Sequence, residues 1–419
     1  MTTLVVSTSY PKPTDVGRKV VMSGFLDWLG ASGEKVVYAH VAPRRQERHE
    51  RLGVDLYEAP VDPSWRRLAA MAVDGVLRGR TPLQIAAVGA VGAGNTLARL
   101  VGKLSPDLVI ADTLRVGPVL DRLPLGNARK IVYLDDLYSR RYARLIETLD
   151  RHPDAELNSL GTFARFLPSW MARIAQARGL QRALLQREMR LMEQAENVAP
   201  GQFDRCLLIN EQEAEVLRAR TGAQNIFSVP PYVRVREVPP SARPVDPPRF
   251  LFLGNLSYPA NAYGLSRLLS EAVPQLFATL PGARLDIVGG GASPALRAQA
   301  ASLGERVRLH GFVEDLDGVL AQATALVAPV IYGTGVKIKV IDALARGLPI
   351  VTTPTGVEGI EVADGCEGFV REELADFVEP LRQLTDPGLN RACSEAALRL
   401  YHRRYRRDAT FAAYEEAFA

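Results

Sequence analysis

Short apolar runs rich in valine, isoleucine and leucine recur along both halves of the chain, and longer segments with helical spacing lie between them. Runs of this kind are typical of parallel strands that are buried on both faces. The alternation of strand and helix therefore predicts an α/β fold. The predicted strands are 4–8, 36–41, 108–111, 131–134 and 207–209 in the first half, and 249–256, 283–290, 307–313 and 325–329 in the second.

A proline-dense segment separates the two halves of the pattern. It has neither helical nor strand periodicity, which is typical of a linker. With 419 residues, the chain is long for a single α/β domain and suits two domains of about 200 residues each. We predict a first domain over 1–233, a linker over 234–248 and a second domain over 249–397.

A basic loop broken by glycines precedes a predicted short helix in the second domain. Gly333 and Gly335 allow positive φ angles and let backbone amides approach an anion. Lys337 and Lys339, two of the seven lysines in the chain, add positive charge beside the start of that helix. The loop suits a diphosphate, although lysines at this spacing also occur on ordinary solvated surfaces.

The helix that follows this loop is apolar apart from one carboxylate, Asp342. A carboxylate accepts two hydrogen bonds from neighbouring hydroxyl groups well, so a sugar diol is a suitable partner. Gly347 ends the predicted helix and Pro349 begins the next strand.

Segment 332–353 resembles the donor-binding signature of the retaining glycosyltransferases of family 4, and 249–261 resembles the opening strand and loop of that family's C-terminal domain. The resemblance implies the GT-B fold, in which two Rossmann-like doubly wound domains face each other across a cleft. The first domain would then bind the acceptor and the second the nucleotide sugar. It also implies that a last helix, 398–419, returns to complete the first domain.

The resemblance assigns expected roles to individual residues of the donor site. Asp342 falls on the family's second acidic position, which is expected to bind the ribose and is usually Glu. Thr334 stands at the first acidic position, so its hydroxyl and the amides near Gly335 and Val336 would take the place of a carboxylate. The other positions expected at the donor are Gly17, Arg18, Gly254, Asn255, His310, Phe312 and Val313.

Two of these assignments have plain alternatives. The family usually has two adjacent glycines in the first loop, whereas this chain has Gly17 followed by Arg18 and Lys19. Their side chains could supply charge to the donor phosphates, or the loop could simply be solvated. The turn formed by 310–313 is expected near the nucleobase, but His310 could equally be an ordinary histidine at a strand end.

Acidic residues follow the predicted strand 131–134, where residues at the carboxyl end of a parallel strand line a ligand crevice. Asp135 or Asp136 could orient an acceptor hydroxyl or accept its proton, assisted by Ser139 and Arg141. Two adjacent acids can also cap a helix. Lys337 is the third candidate catalytic residue, because binding the leaving diphosphate most tightly in the transition state would accelerate transfer.

Aromatic and aliphatic residues gather at 163–174 within an arginine-rich helical region. Two interpretations stay open: a core or cleft-lining helix pair, or a surface that contacts a membrane or a lipid-linked acceptor. The chain has no apolar run long enough to span a bilayer and no signal peptide pattern, so we expect a cytoplasmic protein, with peripheral contact at the inner face of the membrane as the alternative.

Composition narrows the classes of function. A net charge of +4 argues against a dedicated nucleic-acid-binding protein. The three cysteines are far apart and show no metal-binding spacing, and no dinucleotide-binding glycine pattern is present. The sequence predicts a glycosyltransferase that uses a nucleoside diphosphate sugar and a hydroxyl acceptor, such as a saccharide, a lipid-linked glycan or a small molecule, with no metal or further cofactor. A nucleotide-sugar epimerase, a glycosyl phosphorylase or a catalytically silent nucleotide-sugar-binding protein remains open.

Overall fold

A computed structural model describes residues 1–14, 17–42, 52–60, 79–89, 93–153, 178–235 and 246–419. The described residues divide into two compact units. Unit 1 comprises Met1–Asp150, the described part of Ser159–Tyr232, and Phe411–Ala419. Unit 2 comprises the described parts of Arg151–Asn158 and Val233–Thr410.

Seven parallel strands form one sheet among the described residues of unit 1. Their order across the sheet is β3-β2-β1-β4-β5-β6-β7. β4 pairs with β1 and β5, and every residue of β4 is buried, as expected for a strand covered on both faces. The strands are β1 Thr2–Ser7, β2 Lys35–Ala42, β3 Asp55–Pro60, β4 Leu108–Asp112, β5 Arg129–Asp135, β6 Arg205–Leu208 and β7 Ile226–Ser228.

Helices connect these parallel strands. Asn210 caps α7, since its side chain accepts a hydrogen bond from the Gln212 amide, and Gly222 ends that helix at a φ of 70°. A short 3-10 helix, Leu114–Val116, follows β4. The α-helices are α1 Gly17–Ala31, α2 Leu83–Gly89, α3 Ala93–Leu104, α4 Gly117–Leu120, α5 Tyr138–Arg151, α6 Arg178–Gln202 and α7 Glu211–Thr221.

A second parallel sheet of six strands lies in unit 2, among residues 246–419. Its order is β10-β9-β8-β11-β12-β13, so the first strand of the unit again lies inside the sheet. Phe250 and Phe252 of β8 are fully buried in its core. The strands are β8 Arg249–Leu253, β9 Arg284–Val288, β10 Val307–Gly311, β11 Ala325–Ala328, β12 Ile350–Thr352 and β13 Gly368–Val370.

Several helices of unit 2 begin at capping residues that the sequence shows directly. The side chain of Ser293 accepts a hydrogen bond from the Leu296 amide, and that of Asp386 accepts one from the Leu389 amide. Short 3-10 helices occupy Pro354–Val357 and Leu374–Phe377. The α-helices are α8 Pro259–Glu271, α9 Val273–Thr279, α10 Pro294–Ser302, α11 Leu316–Ala321, α12 Ile338–Ala345, α13 Val378–Gln383 and α14 Pro387–Arg404.

The chain ends on α15, Arg407–Phe418. Tyr414 of this helix is buried in unit 1, where its ring centroid lies 5.1 Å from that of Phe25 and 5.0 Å from that of Trp28. Its hydroxyl lies 3.2 Å from that of Tyr133. Aromatic packing therefore attaches the end of the chain to unit 1.

The predicted α/β class with two parallel-sheet Rossmann-like domains is confirmed. The structure differs locally from the sequence-based predictions in three respects. The first helix begins at Gly17, so Arg18 and Lys19 lie in its first turn instead of in a loop. Segment 398–419 is the end of α14 and a separate α15, and only Phe411–Ala419 joins unit 1. The sequence pattern also missed strand β3 and the three-residue strands β7 and β13.

Two predicted features lie outside the described residues. One is segment 163–174, for which the sequence leaves membrane contact open as one of two interpretations. The other is 236–245, which forms most of the predicted linker.

The core of unit 2 depends on a close approach between a helix and the end of a strand. A Cβ atom at Gly264 of α8 would lie 1.9 Å from the carbonyl oxygen of Pro329, just after β11. This distance is far below van der Waals contact and involves backbone, which cannot move away easily. Only glycine lets α8 pack this closely.

We expect Gly264→Ala to destabilise unit 2 by about 1–3 kcal/mol, because the added methyl group overpacks this contact. Gly102→Ala is the matched control, since Gly102 is also within a helix and a Cβ there meets nothing within 4 Å. It should stabilise α3 by up to about 1 kcal/mol through helix propensity. Urea unfolding measures the free energy of unfolding, which should fall in Gly264→Ala and rise in Gly102→Ala. Equal changes in both variants would contradict the close approach at Gly264.

Candidate functional site

In both units the candidate residues lie at the carboxyl ends of the strands. In each unit, the strand that comes first in the chain lies inside the sheet, with a strand on either side. β1 lies between β2 and β4, and β8 lies between β9 and β11. Ligands of open parallel sheets bind at such switch points, in the crevice outside the carboxyl ends. In unit 2, Gly254 and Asn255 follow β8, and the glycine loop follows β11.

The glycine loop has the backbone geometry that the sequence predicts. Gly333 has a φ of 118° and Gly335 a φ of 78°, both in the region that favours glycine. Lys337 is the residue before α12, and its side chain does not cap that helix. The first backbone amides of α12 therefore receive no side-chain cap from Lys337. An anion bound at these amides would accept their hydrogen bonds and would lie at the positive end of the helix dipole.

Lys339 carries its positive charge in a half-buried position with neutral partners. Its Nζ donates to Oδ1 of Asn261 at 2.9 Å and lies 5.2 Å from the ring centroid of Phe252. Burial and, to a smaller extent, the nearby charge of Lys337 together lower the pKa of Lys339 to about 7. Lys337 itself donates to the carbonyl oxygen of Gly335 at 2.5 Å. An anion bound here would restore the full charge of Lys339.

Gly254 and Asn255 act on this lysine through Asn261. The side-chain amide of Asn261 donates to the Asn255 carbonyl oxygen at 3.0 Å, which leaves its Oδ1 directed to Lys339. A Cβ atom at position 254 would lie 3.0 Å from the Asn261 side chain. Gly254 therefore makes room for the residue that positions Lys339, a contact that sequence analysis did not identify.

Asp342 is paired with Arg346, the residue that follows the end of α12. Its Oδ1 accepts from Nη1 of Arg346 at 2.6 Å, one helical turn later, and Arg346 also contacts Asp317 at 2.5 Å. Burial raises the pKa of Asp342, and Arg346 opposes that rise. Sequence analysis missed Arg346, although its i,i+4 spacing from Asp342 was a signal for this pair.

The turn after β10 presents one strongly exposed aromatic side chain. Phe312 is 85% exposed. It follows Gly311, which has a φ of 68°. The pairing of β10 with β9 shifts register between Leu309 and Gly311, so His310 lies at an irregularity in the strand. Nε2 of His310 lies 2.6 Å from Oδ1 of buried Asp286, which also binds Arg249.

In unit 1, Arg18 joins two carboxylates that end different strands, Asp112 of β4 and Asp135 of β5. Its Nη2 lies 2.5 Å from Oδ1 of Asp112 and its Nη1 3.3 Å from Oδ2 of Asp135. Asp112 also accepts a hydrogen bond from the Ser7 hydroxyl. Although burial opposes its charge, Asp112 and the other acids raise the pKa of Arg18 above its ordinary range. Arg18 is therefore held by acids of its own unit.

Two residues at these strand ends have left-handed backbone. Asp135 has a φ of 72° and Thr113, just after β4, a φ of 70°. Such conformations are unfavourable for residues other than glycine and are concentrated at functional sites. Burial raises the pKa of Asp135 to about 6, while Arg18 opposes the rise and Asp136 adds to it. Asp135 can therefore exchange a proton close to neutral pH.

The other predicted acceptor-side residues have defined partners. Asp136 is buried and binds Arg141, whose Nε lies 3.1 Å from its Oδ2. Ser139 is also buried, and its amide and hydroxyl both donate to Glu196. Sequence analysis missed Arg115 and Tyr138: the guanidinium groups of Arg115 and Arg141 lie 5.0 and 4.5 Å from the ring centroid of Tyr138.

The described residues contain no group of three or more His, Cys, Asp or Glu side chains arranged to hold a metal ion. No helix in the described ranges is both long enough and apolar enough to cross a bilayer.

The position of Lys339 has a consequence for stability. Below about pH 7 the amine of Lys339 is charged in both the folded and the unfolded state, so burying the charge destabilises the folded state fully. As pH rises from about 7 towards the ordinary pKa of 10.5, the buried amine is neutral and this destabilisation disappears. We expect Lys339→Met to raise the free energy of unfolding by about 2–4 kcal/mol at pH 6 and by less at pH 9.

Denaturant unfolding at the two pH values measures this effect. Lys103→Met, at an exposed lysine of α3, is the control and should change stability little at either pH. A destabilised Lys339→Met protein at pH 6 would show that the contacts of Lys339 outweigh its burial.

Part of unit 2 is similar in sequence to a known protein family. Residues 247–386 match the family described as glycosyl transferases group 1. A phosphatidyl-myo-inositol mannosyltransferase of Mycobacterium leprae is 34% identical over 122 residues, which are 29% of this chain and 32% of the relative. The aligned region thus spans about a third of that relative, and a similar match is found in Mycolicibacterium smegmatis.

Solved structures extend the comparison to the whole chain. A sucrose-phosphate synthase from Thermosynechococcus elongatus has a TM-score of 0.68 at 15% identity, covering 99% of this chain and 98% of its own. Anabaena HepE in complex with UDP has a TM-score of 0.65 at 13% identity, covering 100% and 99%. The chain therefore has the GT-B fold, and residues 247–386 are the part of it that is similar to the glycosyl transferases group 1 family.

Proposed function

We propose that this protein transfers a sugar from a nucleoside diphosphate donor to an acceptor hydroxyl, with retention of anomeric configuration as in the glycosyltransferases of family 4. One observation carries the proposal: within a group 1 glycosyltransferase domain, two lysines and two positive-φ glycines adjoin the start of α12. This arrangement suits the diphosphate of a nucleotide sugar.

The lysines have a direct role in the proposed chemistry. Negative charge develops on the leaving diphosphate as the glycosidic bond breaks. Lys339 has neutral partners in the free protein, Asn261 Oδ1 and the Phe252 ring. It therefore gains more from an added negative charge than a lysine already paired with a carboxylate. Lys337, the residue before α12, adds a second charge beside the same loop. Both would stabilise the leaving group in the transition state.

The remaining donor contacts are proposed from the family resemblance and the exposed groups of unit 2. Asp342 would bind the ribose through the carboxylate oxygen that Arg346 does not hold. The Thr334 hydroxyl and the amides of Gly335 and Val336 would contact the sugar. The exposed ring of Phe312 offers a surface for the nucleobase, beside Val313, while His310 braces the turn through Asp286.

The comparisons suggest classes of substrate. The relatives are named phosphatidyl-myo-inositol mannosyltransferases, and the Anabaena structure is a complex with UDP. We therefore propose a hexose donor and an acceptor that carries a free hydroxyl group, with a lipid-linked glycan or a lipid as the first acceptors to test.

Asp135 is the proposed acceptor-side residue of unit 1. It is almost fully buried, has left-handed backbone and has a pKa near 6. At neutral pH it is mostly ionised and able to accept the proton of a hydroxyl or to orient that hydroxyl. Asp136 is engaged by Arg141 and would act through that pair.

A catalytically silent nucleotide-sugar-binding protein is the second candidate. The observation that favours it is the ion pair of Asp342 with Arg346, since it commits one oxygen of the proposed ribose ligand to the protein itself. Nucleotide binding without any transfer or donor hydrolysis would support this candidate.

A thermal-shift screen against UDP, GDP, dTDP, CDP and ADP tests the donor site. We expect one nucleoside diphosphate to raise the melting temperature selectively, because a ligand that binds only the native state stabilises it. Lys337→Ala/Lys339→Ala should abolish this shift, whereas Lys103→Ala should retain it. The absence of a shift with every nucleotide would reject the proposed donor site.

Asp135→Asn tests the acceptor side. We expect transfer to fall by about 10²–10⁴-fold, the usual contribution of a general base, while the nucleotide-induced thermal shift stays. In the wild-type protein the ionised form is the active one, so kcat/KM should decrease as pH falls below about 6. Unchanged transfer by the variant would mean that the proton is accepted elsewhere, for example by a donor phosphate oxygen.

A further inference from the structure

Five arginines lie close together in sequence where α14 ends and α15 begins. We call them the arginine cluster: Arg399, Arg403, Arg404, Arg406 and Arg407. All five belong to unit 2. None of them takes part in the donor or acceptor sites described above.

The backbone holds the cluster in a fixed arrangement. Tyr401 and Tyr405 are each only 3% exposed, so they anchor the end of α14 in the core. The amides of Tyr405 and Arg406 both donate to the carbonyl oxygen of Tyr401, which makes a tight helix end. The arginines between and beside these tyrosines are consequently presented at the surface by a rigid support.

The guanidinium groups remain accessible to solvent even where they have acidic neighbours. Arg404 binds Glu361 at 2.8 Å, and Arg403 lies 3.8 Å from the same residue. Their side chains are still 42% and 62% exposed. Arg406 lies 3.8 Å from Asp408. Exposed ion pairs of this kind are weak in water, so another anionic surface can compete for these arginines.

The arginine cluster is better suited to an anionic lipid surface than to an apolar partner or a single-stranded nucleic acid. Within residues 246–419, the exposed large apolar side chains are Tyr258 and Phe312, which are distant in sequence from the cluster. Tyr401 and Tyr405 are buried, so they offer no platform on which the bases of a single-stranded nucleic acid could stack. Clusters of four to eight basic residues, in contrast, are typical of proteins that bind anionic lipid headgroups.

We propose that the arginine cluster docks the protein on the surface of an anionic lipid bilayer. The choice of a bilayer rests on the proposed function, because a lipid acceptor would require the protein to work at a membrane. The contact is electrostatic and does not insert apolar side chains. It would keep the protein near a lipid-borne hydroxyl without forming part of the catalytic site.

Vesicle flotation of the full chain without nucleotide tests the docking surface. The vesicles contain either phosphatidylcholine alone or equal parts of phosphatidylcholine and phosphatidylglycerol. We expect binding to the anionic vesicles only, and its loss as sodium chloride is raised from about 0.1 M to about 1 M, because salt screens exposed charges. Arg399→Gln/Arg403→Gln/Arg407→Gln should weaken binding by about fivefold per arginine, on the order of 100-fold in total.

Two variants make the result specific to the cluster. Arg284→Gln/Arg297→Gln/Arg308→Gln removes the same charge from three exposed arginines of unit 2 that lie on different elements, and it should bind almost as the wild type does. Arg399→Lys/Arg403→Lys/Arg407→Lys should bind as the wild type does, since the charge is kept. Thermal unfolding confirms that each variant is folded.

Other outcomes would overturn the proposal. Equal loss of binding in both glutamine variants would show that net charge, and not the cluster, attracts the vesicles. Equal binding to neutral vesicles would exclude an electrostatic contact, and binding to single-stranded RNA but not to vesicles would assign the cluster to nucleic acid. The vesicle experiment contains no nucleotide, so a failure to bind vesicles would reject the docking surface without rejecting the donor site. The thermal-shift screen tests the donor site separately.

Discussion

Both units place their first strand inside a parallel sheet, and this arrangement determines where the functional side chains can meet. The chain builds one side of each sheet, returns to the centre and then builds the other side. The loops that leave the two neighbouring central strands, β1 and β4 or β8 and β11, therefore diverge. Their divergence opens a crevice at the carboxyl ends of these strands. In unit 1 this brings Arg18 to Asp112, 94 positions away, and in unit 2 it brings Lys339 to Asn261, 78 positions away.

The donor half of the candidate site is built at a cost to stability. Burial lowers the pKa of Lys339, and its hydrogen-bond acceptor is an amide oxygen and not a carboxylate. Glycine is needed at 254 to leave space for Asn261 and at 333 and 335 to allow the loop conformation. The buried lysine and the three glycines each lower the stability of the fold but hold the cationic site in a fixed geometry. Such a cost is common where a site must be organised before its ligand arrives.

Sequence patterns predicted the sheets better than they predicted the partners of charged side chains. Buried parallel strands such as 108–111 are recognisable because both faces are apolar. The short strands β7 and β13 have three residues each, too few for a periodic pattern. The loop glycines were predicted because positive φ is a local property. The contact of Ser139 with Glu196 spans 57 positions, so it depends on tertiary structure that no local pattern encodes.

Irregular backbone marks the same places as the candidate residues. The pairing of β5 with β6 shifts register between Tyr133 and Asp135, and that of β10 with β9 shifts between Leu309 and Gly311. Each irregularity lies at a carboxyl end, where a bulge changes the direction of the next side chain. Only Gly311 was visible as a signal, because Asp135 adopts left-handed backbone without being glycine.

The two units compensate charge in opposite ways, and this difference favours different ligands. In unit 1, Arg18 is shared by Asp112 and Asp135, and Arg141 is bound to Asp136. Cations held by carboxylates in this way attract a further anion weakly, whereas a carboxylate with a pKa near 6 interacts well with a neutral hydroxyl. In unit 2, Lys339 has neutral partners. A polyanionic donor therefore suits unit 2, and an acceptor hydroxyl suits unit 1.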